Sequence, residues 1–349
     1  MRSDVVAYAA GRIFCSFIAL QIINASSLAM QKKLFFLLSL ALTLVACGGS
    51  DDTDGPNDPG ERISTNSNRN DSRANAAYAR LEYPHLKGGS NNIVIIHQAS
   101  FGVNYSVEWD TDLHPTGWDG EGTLRAQRWS CFRWHNKNSN KSATSRKPRD
   151  NSGLPFAEYP NDADLAAQYH FTDDPYWNSG YDHGHIMASA DRGYNYNARA
   201  NEQTFYMTNM QPQVNGFNGG VWLEMEGRLR EWNTSNFRDT LYVCKGGTID
   251  HKNNILRTIG SGRNKIPVPK YFFMAVLCKN KDNVNGGYKA LGFWVEHKVN
   301  YDTDLSKYVV NIDELERLTG IDFFCNLPDN IENAVESLPR ENVIKAWKP

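Results

Sequence analysis

Residues 180–192 read GYDHGHIMASADR, and this stretch decides how the rest of the chain is interpreted. It places His183 and His185 on a short segment that is predicted to be extended. Two further stretches follow it, TNMQPQ at residues 208–213 and FNGGVWLEME at residues 217–226. A histidine is thus followed by a predicted helix that begins near an amide and carries a carboxylate. This order suits a histidine base that works beside one hard metal ion, and it indicates hydrolysis of a phosphodiester bond.

Three side chains match the needs of that reaction. His185 can accept the proton of the attacking water near neutral pH. The amide oxygen of Asn218 suits Mg²⁺, which prefers oxygen ligands and keeps several of its waters. Glu226 can hold those waters through hydrogen bonds. Because Asn218 and Glu226 are eight residues apart, we expect them on one face of a helix, about two turns from each other.

Composition limits how the chain could recognise a partner. The 349 residues carry a formal net charge of −2, so a strongly basic surface does not drive binding. A nucleic-acid ligand would have to meet a local cluster of Arg and Lys. The polar and basic stretch 136–153 is predicted to be an exposed loop. It is either such a cluster or only a solvated face.

The N-terminal part of the chain has the pattern of an export signal. Residues 30–46 combine a positive start with a short apolar run, which predicts a signal peptide. The run ends at Cys47 in a pattern that resembles a bacterial lipoprotein cleavage site. We therefore expect Cys47 to be a lipid anchor on an exported protein, in the bacterial envelope and at the outer membrane. Residues 1–29 resemble an upstream extension from a misplaced start codon, and residues 47–77 are predicted to be a disordered tether.

The remainder, residues 78–349, is predicted to be one α+β domain. Strands are predicted at residues 93–97, 103–109, 125–134, 204–208, 240–244, 271–278 and 291–297; residues 103–109 alternate apolar and polar side chains, and the last three are apolar, β-rich runs. Helices are predicted at residues 218–232 and 312–319. The four cysteines of this part, Cys131, Cys244, Cys278 and Cys325, are compatible with two disulfides in an oxidising compartment. Sequence does not choose among the three possible pairings.

The central motifs resemble those of the DNA/RNA non-specific endonuclease family, the sugar-nonspecific ββα-metal nucleases. The family signature is Asp-Arg-Gly-His, then Ser-Ala-Asp, Thr-Asn-x-x-Pro-Gln, and an Asn ahead of a Trp-containing helix. The matching positions here are Asp182, Gly184, His185, Ser189, Ala190, Asp191, Arg192, Thr208, Asn209, Pro212, Gln213, Asn218, Trp222 and Glu226. The resemblance extends over most of residues 95–330. It implies a ββα-metal (His-Me finger) fold with a central mixed or antiparallel sheet flanked by helices.

The resemblance also implies roles for individual residues. His185 is the general base, Asn218 is the direct ligand of Mg²⁺ (Mn²⁺ is possible), and Glu226 acts on the waters of the metal. Asn209 helps to fix the site. The family uses an upstream arginine against the scissile phosphate, for which Arg149 is preferred over Arg146. The implied substrates are DNA and RNA, and no obligate protein partner is predicted.

One departure lies at the centre of the motif, where His183 stands in place of the family's arginine. This replaces a permanently charged, forked donor with an imidazole that is mostly neutral at pH 7, so substrate preference and rate are in doubt. Other readings remain open. His183 and His185 could be a zinc pair, Asn218 could be only a helix cap, and Glu226 with Arg230 could be a surface pair. The whole domain could also be a non-catalytic nucleic-acid-binding lipoprotein.

Overall fold

The computed structural model describes residues 65–120, 122–139, 145–281 and 284–349. The predicted upstream extension, the signal peptide and the lipid anchor at Cys47 lie outside the described residues. Within the described ranges, no helix is both long enough and apolar enough to span a bilayer.

A seven-stranded antiparallel sheet is the centre of the domain. It contains β1 (Asn92–Ala99), β2 (Gly102–Leu113), β3 (Leu124–Trp134), β6 (Thr240–Gly247), β9 (Tyr271–Lys279), β10 (Tyr288–Glu296) and β11 (Val309–Val310), in that spatial order. Alternation of side chains along the strands gives the sheet two apolar faces. Trp109 and Trp134 belong to the core on one face, which we call face A, whereas Trp129 belongs to the core on the other, face B.

Helices cover both faces of the sheet. They are α1 (Ala198–Gln203), α2 (Leu223–Trp232), α3 (Ile312–Thr319), α4 (Asp329–Glu336) and α5 (Arg340–Trp347). Short 3-10 helices occur at Ala76–Ala79, Ala167–Tyr169, Ser189–Asp191, Met207–Asn209, Lys252–Asn254, Gly262–Asn264, Val284–Gly287 and Leu305–Tyr308. Helix α2 buries Met225 and Leu229 in the core of face A, and α3 and α4 bury Leu315 and Val335 in the core of face B.

Two small antiparallel hairpins stand beside the large sheet. One pairs β4 (Asp182–His185) with β5 (Met210–Gln213), and the other pairs β7 (Ile255–Ile259) with β8 (Ile266–Pro269). Together with α2, the β4–β5 hairpin forms a ββα unit on face A. The predicted α+β class with an antiparallel sheet flanked by helices is confirmed.

Two sequence predictions of secondary structure differ from the fold. Residues 204–208 do not form a strand, because α1 ends at Gln203 in a turn and a 3-10 helix begins at Met207. The helix predicted at residues 218–232 is regular only from Leu223 onward. Residues Asn218–Trp222 form a π-helical turn in which Gly220 has non-helical angles, φ −111° and ψ −121°.

The predicted tether extends too far toward the C-terminus. Thr65 donates to Asp329 over 2.6 Å and Asn66 donates to the Leu327 carbonyl over 2.7 Å. Asn70 donates to the carbonyl of Pro84 over 2.9 Å. Polar side chains therefore hold the start of the stretch 65–77 to the domain. Such contacts produce no hydrophobic pattern, so the sequence did not indicate them.

The four cysteines of the domain, whose number is compatible with two disulfides, are all free and buried in this structure. Cys131 and Cys244 face each other across the β3–β6 register and belong to the core of face B. Cys278 belongs to the core of face A, so the sheet separates it from that pair.

Candidate active site

His185 closes strand β4 and is half-buried. Its Nε2 atom is shielded from solvent and has no hydrogen-bond partner within the described residues. The edge of the ring meets Phe205 with 4.9 Å between centroids. Burial lowers the pKa of His185 to about 3, and the positive charges of Arg146 and Lys245 add to the shift. The ring is therefore neutral and presents an unsatisfied nitrogen, as a proton acceptor requires.

Asn209 braces the backbone that follows His185. Its side-chain oxygen accepts hydrogen bonds from the Met187 amide over 2.9 Å and from the Ser130 hydroxyl over 3.0 Å. Its amide nitrogen donates to the carbonyls of Met187 and Thr204, over 2.9 and 2.7 Å. Because Asn209 is fully buried and saturated with these bonds, it positions the site rather than contacting a substrate.

Asn218 lies at the first position of the π-helical turn, next to the β4–β5 hairpin. Its backbone is already helical, and its amide nitrogen donates to Asp182 over 3.0 Å. It therefore does not cap the start of a helix and instead follows the short helical turn Asn215–Phe217. The kink at Gly220 is enforced by a close approach, because a Cβ atom there would lie 2.1 Å from the carbonyl oxygen of Asn300.

The residues around Asn218 fit a hard divalent cation. The amide nitrogen of Asn218 is bound to Asp182. The amide oxygen accepts no hydrogen bond within the described residues and is therefore free to bind a metal. A neutral amide oxygen is a ligand that Mg²⁺ and Mn²⁺ accept readily. The negative charge of Asp182 polarises the amide and strengthens that oxygen as a donor to the metal.

Glu226 is buried beside a lysine that the sequence interpretation missed. Lys245 on β6 is fully buried, and its Nζ lies 3.1 Å from Oε1 of Glu226. Burial raises the pKa of Glu226, and the charge of Lys245 opposes that shift. The ammonium also lies 5.4 Å from the centroid of the Trp222 ring, whose Nε1 donates to the His185 carbonyl over 3.4 Å. Contacts thus connect Glu226 to the strand of His185.

Arg230 does not form the surface pair with Glu226 that was one alternative. Its guanidinium instead donates to Asp191 over 2.9 Å, and the Asp191 side chain is fully buried. Asp191 ends the 3-10 helix Ser189–Asp191, which follows strand β4. This ion pair therefore connects the segment after His185 to helix α2. Glu226 and Arg230 therefore contact buried groups, whereas Glu224 and Glu231 on the same helix are exposed.

His183, which replaces the family arginine, is held in a fixed cage. Its ring is stacked between Tyr159 and Tyr176, with centroid distances of 3.9 and 4.1 Å. Its Nε2 lies 3.1 Å from each carboxylate oxygen of Asp174. The neighbouring cavity, of about 750 Å³, is lined by Tyr159, Asp174 and the exposed Trp177. His183 is thus fixed behind residues that line the cavity, and two tyrosine rings cover the faces of its own ring.

The two upstream arginines differ in position. Arg146 stacks over the Phe205 ring at 4.6 Å, and that ring contacts His185. It also donates to Glu158 and to the Tyr159 hydroxyl, over 3.1 and 3.2 Å. Arg149 is exposed and has no hydrogen bond or ion pair within the described residues. The structure therefore brings Arg146, and not Arg149, next to His185.

The histidine pair does not form a zinc centre. Within the described ranges, two groups of three potential ligands converge, and neither contains His183 or His185. The cage around His183 explains this, because Asp174 already occupies its Nε2. The sequence did not predict which residues contact His183, Asn218 and Glu226. Of these contact residues, only Asp182 lies within the motif. Lys245, Asp174 and Tyr159 lie in stretches with no distinctive pattern.

Comparison with known proteins gives a consistent family. The family model described as DNA/RNA non-specific endonuclease matches residues 119–330. A protein named Nuclease from Nostoc sp. is 32% identical over 165 residues, covering 46% of this chain and 57% of that protein. Human mitochondrial endonuclease G is 28% identical over 178 residues, covering 49% of this chain and 57% of that protein. The chain thus spans less than two thirds of the length of both relatives.

A solved structure shares the fold. The structure described as the EndoG/EndoGI complex aligns with a TM-score of 0.50 and 21% identity, covering 69% of this chain and 90% of that chain. At this identity, the alignment supports a common architecture of antiparallel sheet, hairpin and helix.

Proposed function

The chain belongs to the DNA/RNA non-specific endonuclease family, and from that premise we propose that it is a metal-dependent endonuclease that hydrolyses phosphodiester bonds in DNA and RNA. The observation that carries this proposal is the unpartnered, buried Nε2 of His185 at the end of β4, together with the free amide oxygen of Asn218, whose nitrogen is bound to Asp182 at the start of the same strand. A structural histidine in such a position would have a hydrogen-bond partner.

Each residue has a distinct task in the proposed reaction. Nε2 of His185 takes the proton of the attacking water. Asn218 would hold Mg²⁺ or Mn²⁺, which supplies positive charge against the phosphorane and the leaving oxygen when bound. Glu226 accepts hydrogen bonds from water beside Asn218 and orients it. Arg146 donates to a non-bridging phosphate oxygen, in the place that the family gives to an arginine.

The low pKa of His185 leads to a prediction for the pH dependence of cleavage. Because the shift is downward, the proton-accepting form persists as the pH falls from 8 toward about 4, well below the usual histidine range near 6.5. The profile of kcat/KM, which reports the free enzyme, should therefore have no acid limb centred near 6.5. A bell-shaped profile of kcat/KM with its acid limb near pH 6.5 would contradict the assignment of His185 as the base, provided that circular dichroism shows the protein to be folded at that pH.

Substitution of the two arginines separates their roles. Arg146→Gln removes a charged donor that lies beside the base, and it should lower kcat/KM by about tenfold to hundredfold. Arg149→Gln is the matched control, since it removes the same group from the same loop, and it should remain near wild type. Steady-state cleavage of one defined oligonucleotide measures both. The reverse ranking would restore Arg149 as the phosphate ligand.

The activity itself is tested on the purified full chain. Supercoiled plasmid and a structured RNA are incubated separately with Mg²⁺, with Mn²⁺ and with a chelator. We expect cleavage of both polymers with either metal and none with chelator. Absence of cleavage with every metal, together with a mobility shift on the same DNA, would support the alternative of a non-catalytic binding lipoprotein.

We also propose that the protein is exported and anchored by a lipid on Cys47. The support is the signal pattern of residues 30–46 and the cysteine that follows it. Mass spectrometry of the protein from a membrane fraction should find a lipidated N-terminal cysteine, and Cys47→Ser should release the protein. Recovery of unlipidated wild-type protein from the soluble fraction alone would refute the anchor.

A further inference from the structure

A second group of carboxylates converges on face B, away from His185. Asp313 and Glu316 are one turn apart on α3, and Glu336 ends α4. One carboxylate oxygen of each lies within 4.8 Å of the others. Asp313 is exposed, Glu316 is half-buried and Glu336 is buried, so the group leads from solvent to the interior.

Glu336 supplies an independent sign that this group lacks a ligand. Its residue surface is only 5% exposed, and its Oε1 atom is buried without a hydrogen-bond partner in the described part of the chain. Burial of an unpartnered carboxylate oxygen costs free energy, because the oxygen loses its hydrogen bonds to water and forms none within the protein. The side chain therefore needs a positive partner or a proton.

The described residues provide no such partner by ion pairing. Asp322 and Glu332 add two more carboxylates nearby, bridged by the amide of Asn68. None of these five acids forms an ion pair with Lys or Arg within the described residues, and the one basic neighbour that acts on the group is His85, beside Asp322. Burial, followed by repulsion from the neighbouring acids, raises the pKa of Glu336 to about 10. Burial likewise raises the pKa of Glu316 to about 8.

We propose that Asp313, Glu316 and Glu336 form a binding site for a divalent cation, specifically Ca²⁺. Only oxygen ligands are present, which selects a hard cation over zinc. Three separate carboxylates and an exposed entrance suit Ca²⁺, whose six to eight ligands can include bidentate carboxylates and water. A single ion would satisfy the orphan oxygen of Glu336 and relieve the repulsion among the acids.

The site would join α3 to α4 and act as a structural clamp. Both helices pack on face B, whereas His185, Asn218 and α2 lie on face A. The sheet separates the two centres. Occupancy of the clamp should therefore change stability without a requirement for the metal at Asn218.

The full chain is first stripped of metal with a chelator and is then titrated with CaCl₂. Calorimetry measures binding, and thermal unfolding measures the change in stability. Wild type and Asn218→Ala should both bind Ca²⁺ and should both unfold at a higher temperature in its presence, because a ligand of the native state raises stability. Glu336→Gln and Asp313→Asn should bind it about tenfold or more weakly and lose the thermal shift. Glu314→Gln is the matched control, because this acid lies on α3 but pairs with Arg317.

Two results would overturn the proposal. One is a Ca²⁺-dependent thermal shift that is the same in Glu336→Gln and Asp313→Asn as in wild type. The other is no heat of binding and no shift in Asn218→Ala, which would leave the catalytic centre as the sole Ca²⁺ site. Asp313 is exposed, so its variant decides the matter if Glu336→Gln does not fold.

Discussion

Replacement of His185 by alanine is expected to lower the rate of phosphodiester cleavage by about 10²- to 10⁴-fold. The reason is that Nε2 of His185 is a buried nitrogen without a hydrogen-bond partner among the described residues, as the proposed proton acceptor requires. His183 cannot substitute, because Asp174 holds its Nε2 at 3.1 Å and two tyrosine rings cover its faces. The initial rate of plasmid nicking with saturating Mg²⁺ measures the effect.

Two comparisons isolate the role of the base. His114→Ala is the control variant, because the side chain of His114 is 66% exposed. This replacement should leave the cleavage rate unchanged. Added imidazole should restore part of the activity of His185→Ala, because it can enter the space that the ring vacates and accept the proton. Unchanged cleavage by folded His185→Ala would eliminate His185 as the base, whatever the effect of imidazole.

The ordered motifs predicted the architecture because they combine local signals with a fixed spacing. Apolar, β-rich runs and one alternating stretch predicted the strands β1, β2, β3, β6, β9 and β10, and α3 is capped by Gly320, with φ of +70°. Asn209 contacts Met187, just after His185, and Asn218 contacts Asp182 on the same strand, because the ββα unit and its connecting turns carry these residues. Such short-range geometry is accessible to a sequence pattern.

Long-range partners were not accessible in the same way. Lys245 lies on a central strand, and its pairing with Glu226 depends on how α2 crosses the sheet. The kink at Gly220 depends on the carbonyl of Asn300, which is 80 residues away in the chain. The preference for Arg149 over Arg146 failed to anticipate the geometry because the stacking of Arg146 on Phe205 joins two loops. No periodicity records contacts of this kind.

Replacement of Lys245 by methionine is expected to destabilise the protein by about 3–5 kcal/mol at pH 8. Methionine keeps much of the volume but removes the only ion-pair partner that Glu226 has among the described residues, and Glu226 is itself 7% exposed. An unpaired buried carboxylate must either remain charged at high cost or bind a proton. Because burial already raises the pKa of Glu226, protonation becomes easier as the pH falls, and the loss of stability should shrink toward pH 5. Urea unfolding at both pH values measures the difference.

The double variant Lys245→Met, Glu226→Gln tests what the pair is for. Removing both charges removes the uncompensated carboxylate, so most of the lost stability should return, as it does for buried pairs that are replaced together. Cleavage should not return, because a neutral amide cannot replace the carboxylate that orients water beside Asn218. If the double variant recovers activity along with stability, the pair is only a structural ion pair. If it recovers stability alone, the buried lysine is present to keep Glu226 ionised at the site.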